Sequence, residues 1–239
     1  MSRLFLVRHG QASFLEQNYD KLSAIGEKQA LRLGEYWAQR RVLFDHVYSG
    51  PRTRQRETAR IVGDIYHATG LAWPEVEIKD EFDEYQGDWV LEAALPELAE
   101  SNPQVHQLQQ AFLNAGSPEE KHRTFQKLFE VVIGKWVGGE IHVPEIESWP
   151  EFCRRVQSGL SFVCNGHGSG QNIAIFSSGG PVGVSMQRAL ELSPENTLKV
   201  AWMARNCSYT EFLFSGERFT LSSFNAYPHL DDPALLTYR

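Results

Sequence analysis

Three short stretches of this chain carry residue types that could do chemistry together. The first is Arg8-His9-Gly10, which follows directly on the apolar run Leu4-Phe5-Leu6-Val7. A buried strand that ends in polar groups is where open α/β sheets keep their reactive side chains. An imidazole there can act as nucleophile or acid-base near neutral pH, and an adjacent arginine can fork onto a phosphate or carboxylate. The second stretch is Asp80-Glu81-Phe82-Asp83-Glu84-Tyr85-Gln86-Gly87-Asp88, whose crowded carboxyls include candidates for a proton donor. The third is Ser177-Ser178-Gly179-Gly180-Pro181, a turn behind a second apolar run.

A single arginine joins these stretches to one ligand class. Arg52, Arg56 and Arg60 recur every four residues and read as one solvated helix face. Arg54 falls off that face and lines up with Thr58, Ile61, Val62 and Ile65, the stripe expected to pack on a sheet. A buried arginine needs an anion, because leaving it unpaired costs several kcal/mol, roughly. Arg54 also sits in the first turn of its helix, which itself favours anions. A phosphate is the simplest partner; a salt bridge to a core carboxylate is the alternative.

The elements that would position these groups alternate between strand and helix. Leu4–Val7 reads as a strand, and a helix follows over about 23–41 with Ile25, Leu33 and Trp37 as its apolar stripe. Phe44–Tyr48 is a second strand, and Ser49-Gly50-Pro51 turns into the arginine helix. Val76–Lys79 is a third short strand. Residues 88–145 carry Pro96, Pro103 and Pro118 and no strand pattern, which predicts a helical cap insertion. Ser148-Trp149-Pro150-Glu151 is a capping box that opens a helix to about Cys164. Asn172–Phe176 is another buried strand, with a helix from Gly180 to about Leu190. Cys207–Phe214 and Arg218–Phe224 flank Ser215-Gly216 as a hairpin. Trp89, Trp136, Trp149 and Trp202 read as core or cap-packing residues. The expected fold is a three-layer α/β/α sandwich with a mostly parallel central sheet, one domain over residues 1–239.

Bulk properties narrow the function classes. The chain has 239 residues and a formal charge of -7, so a general nucleic-acid binder is disfavoured. No apolar run approaches the roughly 18 residues of a membrane span, and no signal-peptide pattern opens the chain. Cys153, Cys164 and Cys207 have no metal-ligand spacing. They read as buried thiols of a reducing compartment, so a cytoplasmic protein with no metal and no cofactor is expected. A homodimer is an admissible assembly.

The ordered motifs carry a family resemblance. Leu6-Val7-Arg8-His9-Gly10-Gln11 resembles the signature of the histidine phosphatase superfamily, which includes the cofactor-dependent phosphoglycerate mutases. Tyr48 to Ala59 is similar to the second block of that family, in which the position of Arg54 grips phosphate. Tyr19-Asp20-Lys21-Leu22-Ser23, with Gly26, Gln29 and Ala30, resembles its first helix entry. The resemblance implies a phosphatase for a small phosphorylated metabolite. His9 would carry the phosphoryl group, Arg8, Arg54, Ser178 and Gly179 would bind it, and Glu84 would be the proton donor, with Glu81 and Asp83 as alternatives. The family usually has a second histidine in a Ser-His-Gly pattern, where this chain has Ser177-Ser178-Gly179. A serine keeps one neutral hydrogen bond in place of a charge-assisted one, a loss on the order of 1–2 kcal/mol. His142 or His122 of the insertion are the other imidazoles that could fill the space. The departure admits a weakly active or inactive phosphate-binding regulator as the alternative to an enzyme. A mutase is less favoured, because the residues after Gly87 bring acids rather than bases.

Overall fold

The computed structural model describes residues 1–13 and 20–238; Tyr19 of the helix-entry motif lies outside the described residues. A six-stranded sheet runs in the order β3-β2-β4-β1-β5-β6. β1 (Ser2–Arg8) lies parallel to β4 (Asn172–Ser177), with Arg8 opposite Ser177. β4 in turn pairs parallel with β2 (His46–Ser49), and β2 with the edge strand β3 (Val76–Ile78). β5 (Tyr209–Ser215) runs antiparallel to β1 and hairpins into β6 (Arg218–Ala226). The chain is thus an α/β fold with a mostly parallel sheet flanked by helices. Two compact units are distinguishable: Met1–Glu84 with Arg154–Arg239, and Tyr85–Cys153.

The central strands are apolar on both sides because helices cover both faces. Leu4, Phe5, Leu6 and Val7 are all essentially inaccessible. Phe5, Val7, Ala174 and Phe176 face a core shared with Leu33 and Trp37 of α1 (Ala24–Gln39) and Ala59, Val62 and Tyr66 of α2 (Thr53–Ala68). α6 (Trp149–Asn165) and α7 (Gly179–Leu190) bury Val156, Leu160, Val182 and Met186. The register that sets Arg8 beside Ser177 brings the two polar turns to one carboxyl edge of the sheet.

Several elements depart from the sequence reading. Ile25 is exposed: the buried arc of α1 is Gly26, Gln29, Ala30, Leu33 and Trp37, and Ile25 lies beside that arc. Arg52 is not on a solvated helix face. It is the extended residue before α2, so four-residue helical spacing does not describe it, and its side chain is half-buried against Asp83. Arg56 and Arg60 are exposed as expected. A further helix, α8 (Pro194–Met203), lies between α7 and β5 where the sequence pattern predicts no element; Ser193 caps it by accepting from Asn196 N. Trp89 is exposed rather than packed, while Trp136 and Trp149 are buried. In the helical unit, α3 (Gly87–Ser101), α4 (Pro103–Leu113) and α5 (Pro118–Val137) follow one another, and Glu151 accepts from both Ser148 N and Ser148 Oγ at 2.7 Å at the start of α6. All three cysteines are free and buried. Among the described residues no helix is long and apolar enough to cross a membrane.

The turn after β1 packs against the first turn of α1 at backbone distance. A Cβ on Gly10 would stand 2.5 Å from the Gly26 carbonyl oxygen, whereas one on Gly134 of α5 would meet nothing within 4 Å. The same substitution therefore has opposite signs at the two positions. Gly10→Ala is expected to lose about 1–3 kcal/mol to overpacking. Gly134→Ala should gain roughly 0.5–1 kcal/mol from helix propensity. Denaturant unfolding of both variants checks this.

Candidate active site

His9 ends β1 and is held in place by its backbone. His9 N donates to Ser177 O at 2.8 Å, and His9 O accepts from Cys207 N at 3.0 Å. Gly10 N donates to Thr58 Oγ1 at 3.1 Å, which in turn donates to Arg54 O at 2.7 Å. One helical turn of α2 is thereby bolted to the loop that carries the imidazole. The residue is 6% exposed. Its Nδ1 lies 2.6 Å from Gly10 O. A carbonyl can only accept, so Nδ1 carries the hydrogen and Nε2 keeps its lone pair. Arg54 Nε donates to that Nε2 at 3.0 Å.

The electrostatics reinforce this tautomer. Burial, then the charges of Arg54 and Arg8, hold the His9 pKa well below the ordinary imidazole value, with a smaller push from Arg52 and only the Gly10 carbonyl opposing. A neutral, cation-flanked nitrogen with a lone pair is what an attack on an anionic phosphorus centre requires. The thiols are not equipped for such a role. Burial raises Cys164 to about 11 and Cys153 to about 12, and pushes Cys207 higher still.

Arg8 and Arg54 both act on His9, and Arg54 has a partner that the sequence does not reveal. Arg54 is buried and donates through Nη1 to Asp20 Oδ1 at 3.0 Å. The other oxygen of Asp20 accepts from Thr53 N, the first residue of α2, at 2.8 Å. A carboxylate thus occupies the helix N-terminus and half the fork of Arg54. Asp20 is partly exposed, so the acid that meets Arg54 is a rim residue and not a core carboxylate. Arg8 donates to the carbonyl of Ala204. Arg52 Nε pairs with Asp83 Oδ1 at 2.6 Å.

The three candidate acids are separated by their partners. Asp83 is engaged by Arg52 and by Glu84 N. Glu81 lies over Gly159 of α6. Glu84 alone of the three reaches the start of α7, where Gly180 N donates to its carboxylate at 3.1 Å from either oxygen. Ser178 is fully buried and accepts from Gln55 Nε2 at 2.8 Å. Its hydroxyl does not cap α7, although it stands at the cap position. Gly179 begins α7, and a Cβ there would stand 3.0 Å from Ala201 O, so the helix entry is close-packed.

Asp20, Gln55, Thr58 and Asn206 join the site without any role assigned to them by the sequence motifs. Polar side chains on a buried helix stripe are the available signal for Gln55 and Thr58. Asp20 lies in the helix-entry motif, but nothing in that motif marks it as the partner of Arg54. His122 and His142, the possible stand-ins for the second histidine, are exposed side chains of the helical unit.

The family profile described as the histidine phosphatase superfamily, branch 1, matches residues 4–128 and 113–227. This chain belongs to that superfamily. Among curated proteins it is similar to "Putative phosphoserine phosphatase 2" of Hydrogenobacter thermophilus, with 28% identity over 237 residues, covering 96% of this chain and 98% of the relative. Among solved structures it resembles Bacillus stearothermophilus YhfR, with a TM-score of 0.66 and 16% identity over 97% of this chain and 100% of that one. It also resembles an Entamoeba histolytica phosphoserine phosphatase in complex with 3-phosphoglyceric acid, with a TM-score of 0.62 and 20% identity over 96% of this chain and 100% of that one. At those identities the solved structures speak to the histidine phosphatase fold alone.

Two outcomes follow from the site geometry. The folded pKa of His9 lies below its unfolded value of about 6.5, so protonation favours the unfolded chain. The stability this group contributes is complete above that pH and is lost as pH falls below it. Nitrogen-detected NMR should accordingly find His9 neutral, with hydrogen on Nδ1, at a pH of about 6.5. Asp20→Asn removes the carboxylate that competes for Arg54 and Thr53 N. A partly exposed pair of this kind is worth about 1 kcal/mol at most, so orthovanadate should bind the variant up to about five-fold more tightly by calorimetry.

Proposed function

We propose that this protein is a metal-independent phosphatase that hydrolyses small phosphate monoesters through a phosphohistidine on His9. The observation that carries this reading is the neutral imidazole whose Nε2 lone pair meets Arg54 at 3.0 Å while Nδ1 is fixed on Gly10 O. The resemblance to a curated protein named putative phosphoserine phosphatase supports it and brings phosphoserine forward as a first substrate to try.

In this mechanism the Nε2 pair attacks phosphorus, the N–P bond forms and the bond to the leaving oxygen breaks. Arg54 turns its Nε–H from Nε2 to an equatorial oxygen, and Arg8 neutralises another, where charge must be met in phosphoryl transfer. Glu84 in its acid form protonates the leaving oxygen. The resulting carboxylate stays on Gly180 N at the start of α7, a position that favours the anion. It then takes a proton from the attacking water as the P–N bond breaks, releasing inorganic phosphate and neutral His9. The Gly10 carbonyl stabilises the Nδ1–H of the phosphorylated ring. Ser178 supplies one neutral donor: Gln55 fills an acceptor site of its hydroxyl, so the hydrogen is turned away from Gln55.

A second reading has its own observation. Ser178 brings no positive charge to the place where the family resemblance expects an imidazole, and a site weakened in that way would bind phosphate esters without turning them over. A phosphate-release panel decides between the two. Wild-type protein should release phosphate from at least one small ester, and His9→Ala should not. Release that survives His9→Ala ends the phosphohistidine mechanism. Binding without release from any ester favours the regulator. In the transfer step to His9 read by single turnover, apart from the later hydrolysis in which Glu84 serves every ester as base, Glu84→Gln should slow alkyl phosphates by about 10²–10⁴ and p-nitrophenyl phosphate much less, because p-nitrophenolate leaves without a proton. Equal losses on both esters would remove Glu84 from the proton-donor role.

A further inference from the structure

Arg205 has no role in the chemistry above, yet its chain neighbours hold the two motif residues. Ala204 O accepts from Arg8. Asn206 Nδ2 donates to His9 O at 3.4 Å, and Cys207 N donates to the same oxygen at 3.0 Å. The segment 204–208 therefore wraps the end of β1, at the carboxyl edge of the sheet. The guanidinium of Arg205 lies 4.3 Å over the ring of Tyr227 and 4.9 Å over that of Tyr238. Its Nε is buried and donates to nothing, and among the described residues no carboxylate pairs with it.

The surroundings fix this side chain before any ligand arrives. Arg205 N donates to Asn225 Oδ1 at 2.8 Å, and Asn225 Nδ2 donates to Met203 O at 3.0 Å. Asn225 itself is left-handed, with φ of 55°, a conformation asparagine tolerates better than most residues. The tail that brings Tyr238 is tied to the same turn. Asn206 N donates to Thr237 O at 2.9 Å. Gln29 donates to Thr237 Oγ1 at 2.9 Å while its own oxygen accepts from Gln11 N.

We propose that Arg205, clamped by Tyr227 and Tyr238 beside the His9 turn, is a specificity residue that anchors a carboxylate on the non-reacting part of the substrate. This rests on the phosphatase reading of His9 and names the class of ester that site prefers. The two rings lie against the guanidinium and Nε is buried, so the terminal N–H groups are the ones left to meet a planar carboxylate bidentately. One cation meets one negative charge; a second phosphoryl group would ask for more. The ordering cost is already met by the tyrosines and Asn225, so the fork adds to affinity rather than to rate.

The test is a ratio of kcat/KM values, for phosphoserine over phenyl phosphate. Arg205→Gln should lower that ratio about ten-fold or more, through KM for phosphoserine. Arg205→Lys keeps the charge and loses the fork, and should lower it about three-fold. A clamp that is only structural would depress both substrates together and leave the ratio within two-fold of wild type, which overturns the proposal. If Arg205→Gln does not fold, an unchanged ratio in Arg205→Lys overturns it equally. If a bisphosphate rather than phosphoserine loses affinity in the variant, the anchored group is a phosphate and the proposal fails. The His9→Ala control is independent of these ratios: phosphate release that survives it refutes the His9 reading, whatever Arg205 does.

Discussion

The imidazole of His9 is buried beside Arg8, Arg52 and Arg54, and that placement is tenable only while the ring carries no proton. A cation there would add to three others in a buried environment that already disfavours charge. The Gly10 carbonyl resolves the remaining ambiguity by fixing hydrogen on Nδ1. The ring is therefore held in the form a nucleophile needs by the protein itself. The arrangement needs the carboxyl edge of a parallel sheet, because only there do the ends of β1 and β4 deliver their polar turns side by side.

Charge balance explains much of the rest. Three guanidiniums close together call for anions, and the rim supplies them: Asp20 on Arg54 and Asp83 on Arg52, with Glu84 held by the N-terminus of α7. Asp20 and Asp83 pair directly with arginines, and Glu84 both acts on Arg52 through its charge and accepts from the Gly180 backbone. An incoming phosphate dianion would compete with Asp20 for Arg54 and for Thr53 N, so ligand binding and the Asp20 pairing are opposed. Glycine matters where backbones meet, at Gly10 against Gly26, because the loop that carries His9 sits on α1 with no room for a Cβ.

Much of the fold and part of the site are legible in the residues themselves. β1, β2, β4, α1, α2, α6 and the β5–β6 hairpin follow from apolar runs, capping residues and turn glycines, and their predicted bounds fall within a few residues of the observed ones. Arg54 stands out because a charge on an apolar stripe has few explanations. α8 is harder to read because its buried face is short, although Ser193-Pro194-Glu195 marks its start. Arg52 is misleading because i,i+4 spacing describes only residues already inside a helix, and it sits one residue before the helix starts.

What the sequence determined by itself was local. It specified which segments bury both faces, where each strand stops, and that an imidazole, two arginines and a group of acids stand at those stops. Such features depend on period and composition, which a linear text preserves. The tertiary structure alone decided which of the crowded acids faces α7, that Asp20 rather than a core acid meets Arg54, and that Arg205 lies over the rings of Tyr227, just past β6, and Tyr238 of the tail. These are contacts between residues far apart in the chain. Their partners are selected by register and helix rotation, which no local pattern encodes.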